Sequence, residues 1–243
     1  REDDFRIVIT GINLGLGERL TIPDDYFTLF YGVELRQFNT QNPRGTAATL
    51  PEGISQSFNF NLQLKRDNRD IPIFPTRGST VSLSLEVTPP VSLMAREGFL
   101  VKEDYFDENP FRFIEYHKWK FNAEWFTELA KNTVFRGYAE FGFLGSFNDE
   151  YGLSPFERFF VGGDGLQNFA IDGREIIGLR GYPNLSLTPG TGDPLFNKFS
   201  FELRYLISPN PNAQIYALSF LEAGNSFSNF NEYQPFNLKR STG

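Results

Sequence analysis

The chain has 243 residues, a net charge of −7, one histidine and no cysteine. That balance argues against a nucleic-acid-binding surface, and the missing cysteine excludes disulfides, thiolate metal sites and cysteine nucleophiles. A single histidine leaves little room for a histidine-based catalytic centre or zinc cage, and no apolar run is long enough for a transmembrane helix.

Apolar and polar residues alternate almost from end to end, the period of a β-strand. In chain order the alternation predicts strands at 5–16, 26–38, 57–65, 79–87, 116–125, 134–147, 197–207 and 213–223, with the first and last the noisiest. In the fifth, Trp119, Phe121, Ala123 and Trp125 share one face, and Lys118, Lys120, Asn122 and Glu124 the other. In the sixth, Phe135, Ala139, Phe141 and Phe143 oppose Arg136, Tyr138 and Glu140. In the seventh, Phe199, Phe201, Leu203 and Tyr205 oppose Lys198, Ser200, Glu202 and Arg204. That makes about eight strands and no convincing long helix.

The connections alternate in length. They are short at 18–25, long at 39–55, medium at 66–78, long at 88–113, short at 128–133, very long at 148–196, short at 208–212 and long after 225. Pro209, Pro211 and Asn212 suit a tight turn. Short turns alternating with long loops are the layout of an up-and-down membrane barrel. In a soluble β-fold the apolar face would pack inward; in a barrel it meets lipid, and the polar face lines a wet lumen. Strands of about nine to twelve residues fit a tilted crossing. Aromatics near strand ends (Tyr26, Phe27, Phe38, Trp119, Trp125, Phe126, Phe147 and Tyr205) fit the girdles of a membrane interface. Both favour the barrel.

The connection at 148–196 carries Phe156, Phe159, Phe160, Val161, Phe169, Ile171, Ile176 and Ile177, too much apolar surface to hang in water. It is expected to fold back into the barrel and carry Arg180 with it. Two readings of Arg180 stand on spacing alone. One is a lumen arginine whose planar fork binds Glu202 on the next strand and Glu222 on the one after. The other is a turn residue between Gly178 and Gly181, with both glutamates ordinary lumen charges. Elsewhere, Asp164, Asp172, Arg174 and Glu175 read as solvated loop charges. Gly162-Gly163-Asp164-Gly165 lacks the helix and Lys-Ser/Thr of a phosphate loop. Glu124 and Glu140 read as lumen partners of Arg136, Lys118 and Lys120, not as a glycosidase pair, and His117 as an interface residue. No convergent catalytic set is present, so an enzyme is not expected.

Five landmarks in order resemble the BamA family of outer-membrane assembly proteins. Phe74-Pro75-Thr76-Arg77-Gly78-Ser79 and the strand after it look like that family's FPTxGS turn and strand. Glu157-Arg158-Phe159-Phe160-Val161-Gly162-Gly163 resembles the opening of its long sixth loop, and Leu179-Arg180-Gly181-Tyr182 the motif at that loop's tip. Phe201-Glu202-Leu203-Arg204-Tyr205 and Phe220-Leu221-Glu222-Ala223-Gly224 resemble the next two strands. The resemblance implies a motif arginine held by Glu202 and Glu222, the second a conservative departure from the more usual aspartate.

It further implies a portion of a sixteen-stranded transmembrane barrel, without the soluble repeats that precede it and the C-terminal seam strands; the strand beginning near 238 is expected to be cut short. Residues 1–243 would then form a single partial barrel domain plugged by the loop at 148–196. The implied activity is folding and inserting nascent β-barrel proteins into the Gram-negative outer membrane. Its implied partners are those clients, accessory lipoproteins and the lipid bilayer, with no cofactor, metal or nucleic acid. A two-partner-type secretion pore shares the motif and is the alternative, with a passive porin behind it.

Overall fold

A computed structural model describes residues 4–44, 47–96, 109–164, 174–188, 190–210 and 213–243. Gly165, Phe169, Ile171 and Asp172 of the long connection, and the turn residues Pro211 and Asn212, lie outside the described residues. Six long strands come first: β1 (Arg6–Arg19), β2 (Phe27–Gln41), β3 (Gly53–Asp67), β4 (Gly78–Val87), β5 (His117–Ala130) and β6 (Thr133–Gly145). Two three-residue strands follow, β7 (Phe159–Val161) and β8 (Glu175–Ile177), then β9 (Leu195–Asn210), β10 (Ala213–Phe227) and β11 (Lys239–Thr242). Nine of these form one antiparallel sheet in the order β1-β2-β3-β4-β5-β6-β9-β10-β11. Every strand pairs with its neighbour in sequence except where the β6–β9 connection inserts the separate parallel pair β7–β8. The edges β1 and β11 are not paired with each other. No described helix is long and apolar enough to cross a membrane, which says nothing of strands.

The faces of the sheet are inside out. Along β3, Phe58, Phe60 and Leu62 are 38%, 44% and 46% exposed, while the alternating Ser57 and Asn59 are 3% and 0%. A soluble sheet would hide the phenylalanines and wet the asparagine. Here the apolar residues form an uncovered outer wall, the distribution of a barrel facing lipid around a polar lumen. At roughly 3.3 Å per residue the 15 residues of β2 span about 50 Å, more than a tilted crossing of an apolar band about 25 Å tall requires. The longer strands therefore stand proud of the band, and β1, β2, β3, β5, β9 and β10 run a few residues past the alternation that marks their middles.

Up-and-down order puts the connections after β1, β3, β5 and β9 at one rim, and the longer ones after β2, β4, β6 and β10 at the other. Two expected girdle residues instead face the lumen. Phe38 packs on Phe156 of the β6–β9 loop with ring centroids 4.5 Å apart. Phe126 joins Phe74 and Val134 in a small buried cluster at the short-turn rim. Phe74 gets there because the β3–β4 turn folds under the wall, with Asp70 accepting from the Thr76 N–H at 2.9 Å and its hydroxyl at 2.5 Å. Phe38 and Phe126 sit on the polar face of their strands, each within a local apolar cluster.

The β6–β9 loop is not structureless. Its β7–β8 pair and a core of Phe156, Phe159, Val161, Ile177 and Leu179 pack against Tyr116, Leu144 and Phe196 of the wall and rim. One loop thus reaches β2 at one side of the sheet and β10 at the other, six strand steps apart, about 29 Å of sheet at roughly 4.8 Å per step. A sheet bent around the loop accommodates both contacts.

Candidate functional site

Arg180 sits at the tip of this loop, and its position is set by backbone as much as by charge. Gly181 has φ +87°, the left-handed region that glycine enters at little cost. A Cβ there would lie 3.0 Å from the Ser241 Cβ on β11. Behind it the Gly163 N–H donates to the Tyr182 carbonyl at 3.0 Å, closing the tip, and the Tyr182 hydroxyl donates to the Arg240 carbonyl at 2.9 Å. Leu179 is fully buried in the loop core.

From this tip the guanidinium enters a cleft between β9 and β10. Arg180 Nε donates to Glu222 Oε1 at 2.9 Å, and the Arg180 backbone N–H donates to Glu222 Oε2 at 2.8 Å. One carboxylate therefore grips both side chain and main chain. Arg180 Nη2 donates to Glu202 Oε1 at 2.6 Å and to the Ser200 hydroxyl at 3.3 Å. The guanidinium carbon also lies 3.8 Å from the centroid of the Phe220 ring, a cation–π contact. Of the two readings open on spacing, the geometry is that of the paired lumen arginine. Burial alone would pull the Arg180 pKa down, but the hydrogen bonds to Glu222 and Glu202 outweigh it and hold the group above its ordinary value.

Glu202 is the hub of a wider network. Arg204 donates to its Oε2 from Nε at 2.8 Å, and Arg136 Nη1 approaches its Oε1 at 3.2 Å. Arg136 continues to Glu124 at 2.5 Å, as the strand pattern suggests. Glu140 instead accepts from the Tyr138 hydroxyl at 2.9 Å.

A second set of contacts escapes the sequence reading. Glu175, expected in solvent, is buried on β8 and takes Lys118 Nζ at 2.6 Å and Lys120 Nζ at 2.9 Å. Glu157, at the start of the loop, lies 3.2 Å from Arg36 Nη2 on β2 and 3.4 Å from Lys118 Nζ. Burial pushes the Glu175 carboxyl up, but the two lysines outweigh it and hold it below the usual range; for Glu157 burial wins and the shift is upward. The loop thus offers anions to one sector of wall and a cation to another. Only the glutamate in Glu157-Arg158-Phe159-Phe160, within the resembling loop opening, hinted at this.

Chemically the arrangement is a positioner. Glu124, Glu157, Glu175, Glu202 and Glu222 are all committed to protein cations, and among the described residues no group of His, Asp and Glu is placed to hold a metal ion. Exchanging hydration for buried ion pairs adds little net stability, yet each pair fixes one geometry and is costly to break from one side.

Comparison with known proteins agrees with this architecture. The family model described as the Omp85 superfamily domain matches residues 1–242. A crystal structure of BamA from Haemophilus ducreyi lacking POTRA domains 1–3 superposes with a TM-score of 0.69 at 16% sequence identity, covering all of this chain and 49% of that one. The chain therefore spans about half the length of that barrel-bearing relative, and the likeness carries the fold. No curated protein matches the sequence.

Proposed function

This chain belongs to the Omp85 superfamily, and on that premise we propose that it is the central wall and lumen loop of an outer-membrane barrel that folds and inserts nascent β-barrel proteins. The observation that carries the proposal is the Arg180 clasp: a lumen-filling loop pinned at its tip by Glu202 and Glu222 through side chain and main chain together. In the proposed cycle the loop keeps the barrel shaped and sealed while client strands pair with an exposed strand edge elsewhere in the full protein, using main-chain hydrogen bonds as the template. No covalent chemistry is involved; the work is positional, without cofactor or metal. The partners are nascent barrel proteins, accessory lipoproteins and the lipid bilayer.

Export of polypeptides through the lumen, as in a two-partner-type secretion pore, is the second reading, and the same motif supports it. Reconstitution separates the two. Full-length protein in lipid vesicles is expected to drive an unfolded barrel protein into a heat-modifiable, protease-resistant form. Transfer of a soluble passenger into the vesicle interior without barrel insertion would replace the first reading with the second.

A further inference from the structure

We infer that the connection between β10 and β11, residues 228–238, is a membrane-interface collar: it straps across the outer face of the wall and beds its aromatic side chains in the lipid boundary on the long-loop side. The inference rests on the barrel reading above and adds a lipid-binding element to it.

The starting observation is a pair of misplaced asparagines. Asn197 on β9 and Asn225 on β10 are cross-strand partners. Both lie on the outward face, since Lys198, Ser200 and Glu202 alternate inward with Glu222 and Gly224. Farther along that face Phe201 and Leu203 are 39% and 46% exposed, the bare wall expected against lipid, yet Asn197 is fully buried. The cover is the strap. Asn197 Nδ2 donates to the Pro235 carbonyl at 2.9 Å, and Asn225 Nδ2 donates to the Asn237 carbonyl at 2.8 Å. Two amides that would be costly on a lipid-facing surface are spent on holding a loop against it.

The strap is built to lie flat. The Asn229 side chain accepts the Glu232 N–H at 2.9 Å, capping a single 3-10 turn at Phe230–Glu232, and the Ser228 hydroxyl ties back to Glu232 at 2.7 Å. The Tyr233, Asn237 and Leu238 N–H groups all donate within the loop, so several of its own donors are satisfied without water, as the boundary of a bilayer demands. Tyr233 packs edge-on against Phe227, ring centroids 5.0 Å apart, and Phe230 against Phe143 of β6 at 6.3 Å. Between these rings and the outward side chains Trp119 and Phe121 runs a groove of about 210 Å³, continuous with the lipid-facing wall and wide enough for the end of an acyl chain.

Two rings remain unburied: Phe230 and Phe236 are 70% and 85% exposed. Aromatics displayed at the rim of a lipid-facing surface mark the interfacial layer. Arg240, whose strand partner is the outward Ala223, presents a cation to the same layer, where phosphate headgroups lie.

This chain has no cysteine of its own to compete, and any cysteine elsewhere in the full-length protein is first replaced by serine. Single cysteines at Phe236, Leu203 and Glu52 of the full-length protein would be spin-labelled in phosphatidylcholine vesicles. Collision rates with oxygen and with a water-soluble nickel chelate are then compared. The inference expects Leu203 to meet oxygen, Glu52 to meet nickel, and Phe236 to favour oxygen over nickel. Replacing both asparagines, Asn197→Leu with Asn225→Leu, is expected to raise nickel collisions at Phe236 several-fold and leave Leu203 unchanged. Nickel access at Phe236 equal to that at Glu52 in the wild-type background, with Leu203 still in lipid, overturns the collar and leaves the barrel reading intact. Nickel access at Leu203 overturns both.

Discussion

At the scale of single residues, the two acids carry the loop tip unequally. Glu222 binds the Arg180 main-chain N–H as well as the guanidinium, whereas Glu202 divides itself among Arg180, Arg204 and Arg136. The two acids are therefore not equivalent. Glu222→Ala is expected to free the tip more than Glu202→Ala, read as sharper lines from a spin label at Asn184, and equal mobilisation would show that the main-chain bond adds nothing. Gly181→Ala is expected to cost about 1–2 kcal/mol through the left-handed backbone alone, with the Ser241 contact added, measurable as a fall in the denaturation midpoint; an unchanged midpoint contradicts the strain. The tip and its two acids were legible because a motif and strand alternation placed all three. Glu157 and Glu175 were not, because their partners Arg36, Lys118 and Lys120 lie far away in sequence and charge in a loop reads as solvated by default.

Strands and loops show a different boundary between the legible and the hidden. β3, β5, β6 and β9 announce themselves by alternation. β10 is noisy because the apolar Tyr216, Leu218 and Phe220 share a face with Glu222, and β1 because Gly11, Gly15 and Gly17 leave its inner face bare. β7, β8 and β11 are too short for any period: alternation marks no strand inside the long loop, and only the family resemblance points to a short strand beginning near 238, where β11 lies. Facing is the property most directly testable here. Leu62 and Gln63 are neighbours on β3 that point to opposite sides, so Leu62→Arg is expected to cost about 2–4 kcal/mol, falling if the site lies near an interface. Gln63→Arg should cost clearly less, since it enters a wet lumen. Unfolding of the full-length barrel in denaturant measures both, and equal losses would mean the wall has been assigned the wrong way round.

For the whole molecule, a sheet bent about one clasped loop predicts sidedness as well as stability. Glu52, between β2 and β3, and Lys131, between β5 and β6, lie at opposite rims. A cysteine at the first is expected to react with an impermeant reagent on intact cells, and one at the second only after the membrane is opened; the reverse pattern would invert the topology. The central claim, that a loop locked in the lumen is needed for client insertion, is tested most directly by Arg180→Ala in the full-length protein. The expected variant still folds, retains its heat-modifiable migration, and inserts an unfolded barrel protein into vesicles about tenfold more slowly, the scale of a coupling worth about 1–3 kcal/mol. Insertion at the wild-type rate, with the loop label at Asn184 visibly mobile, would contradict it.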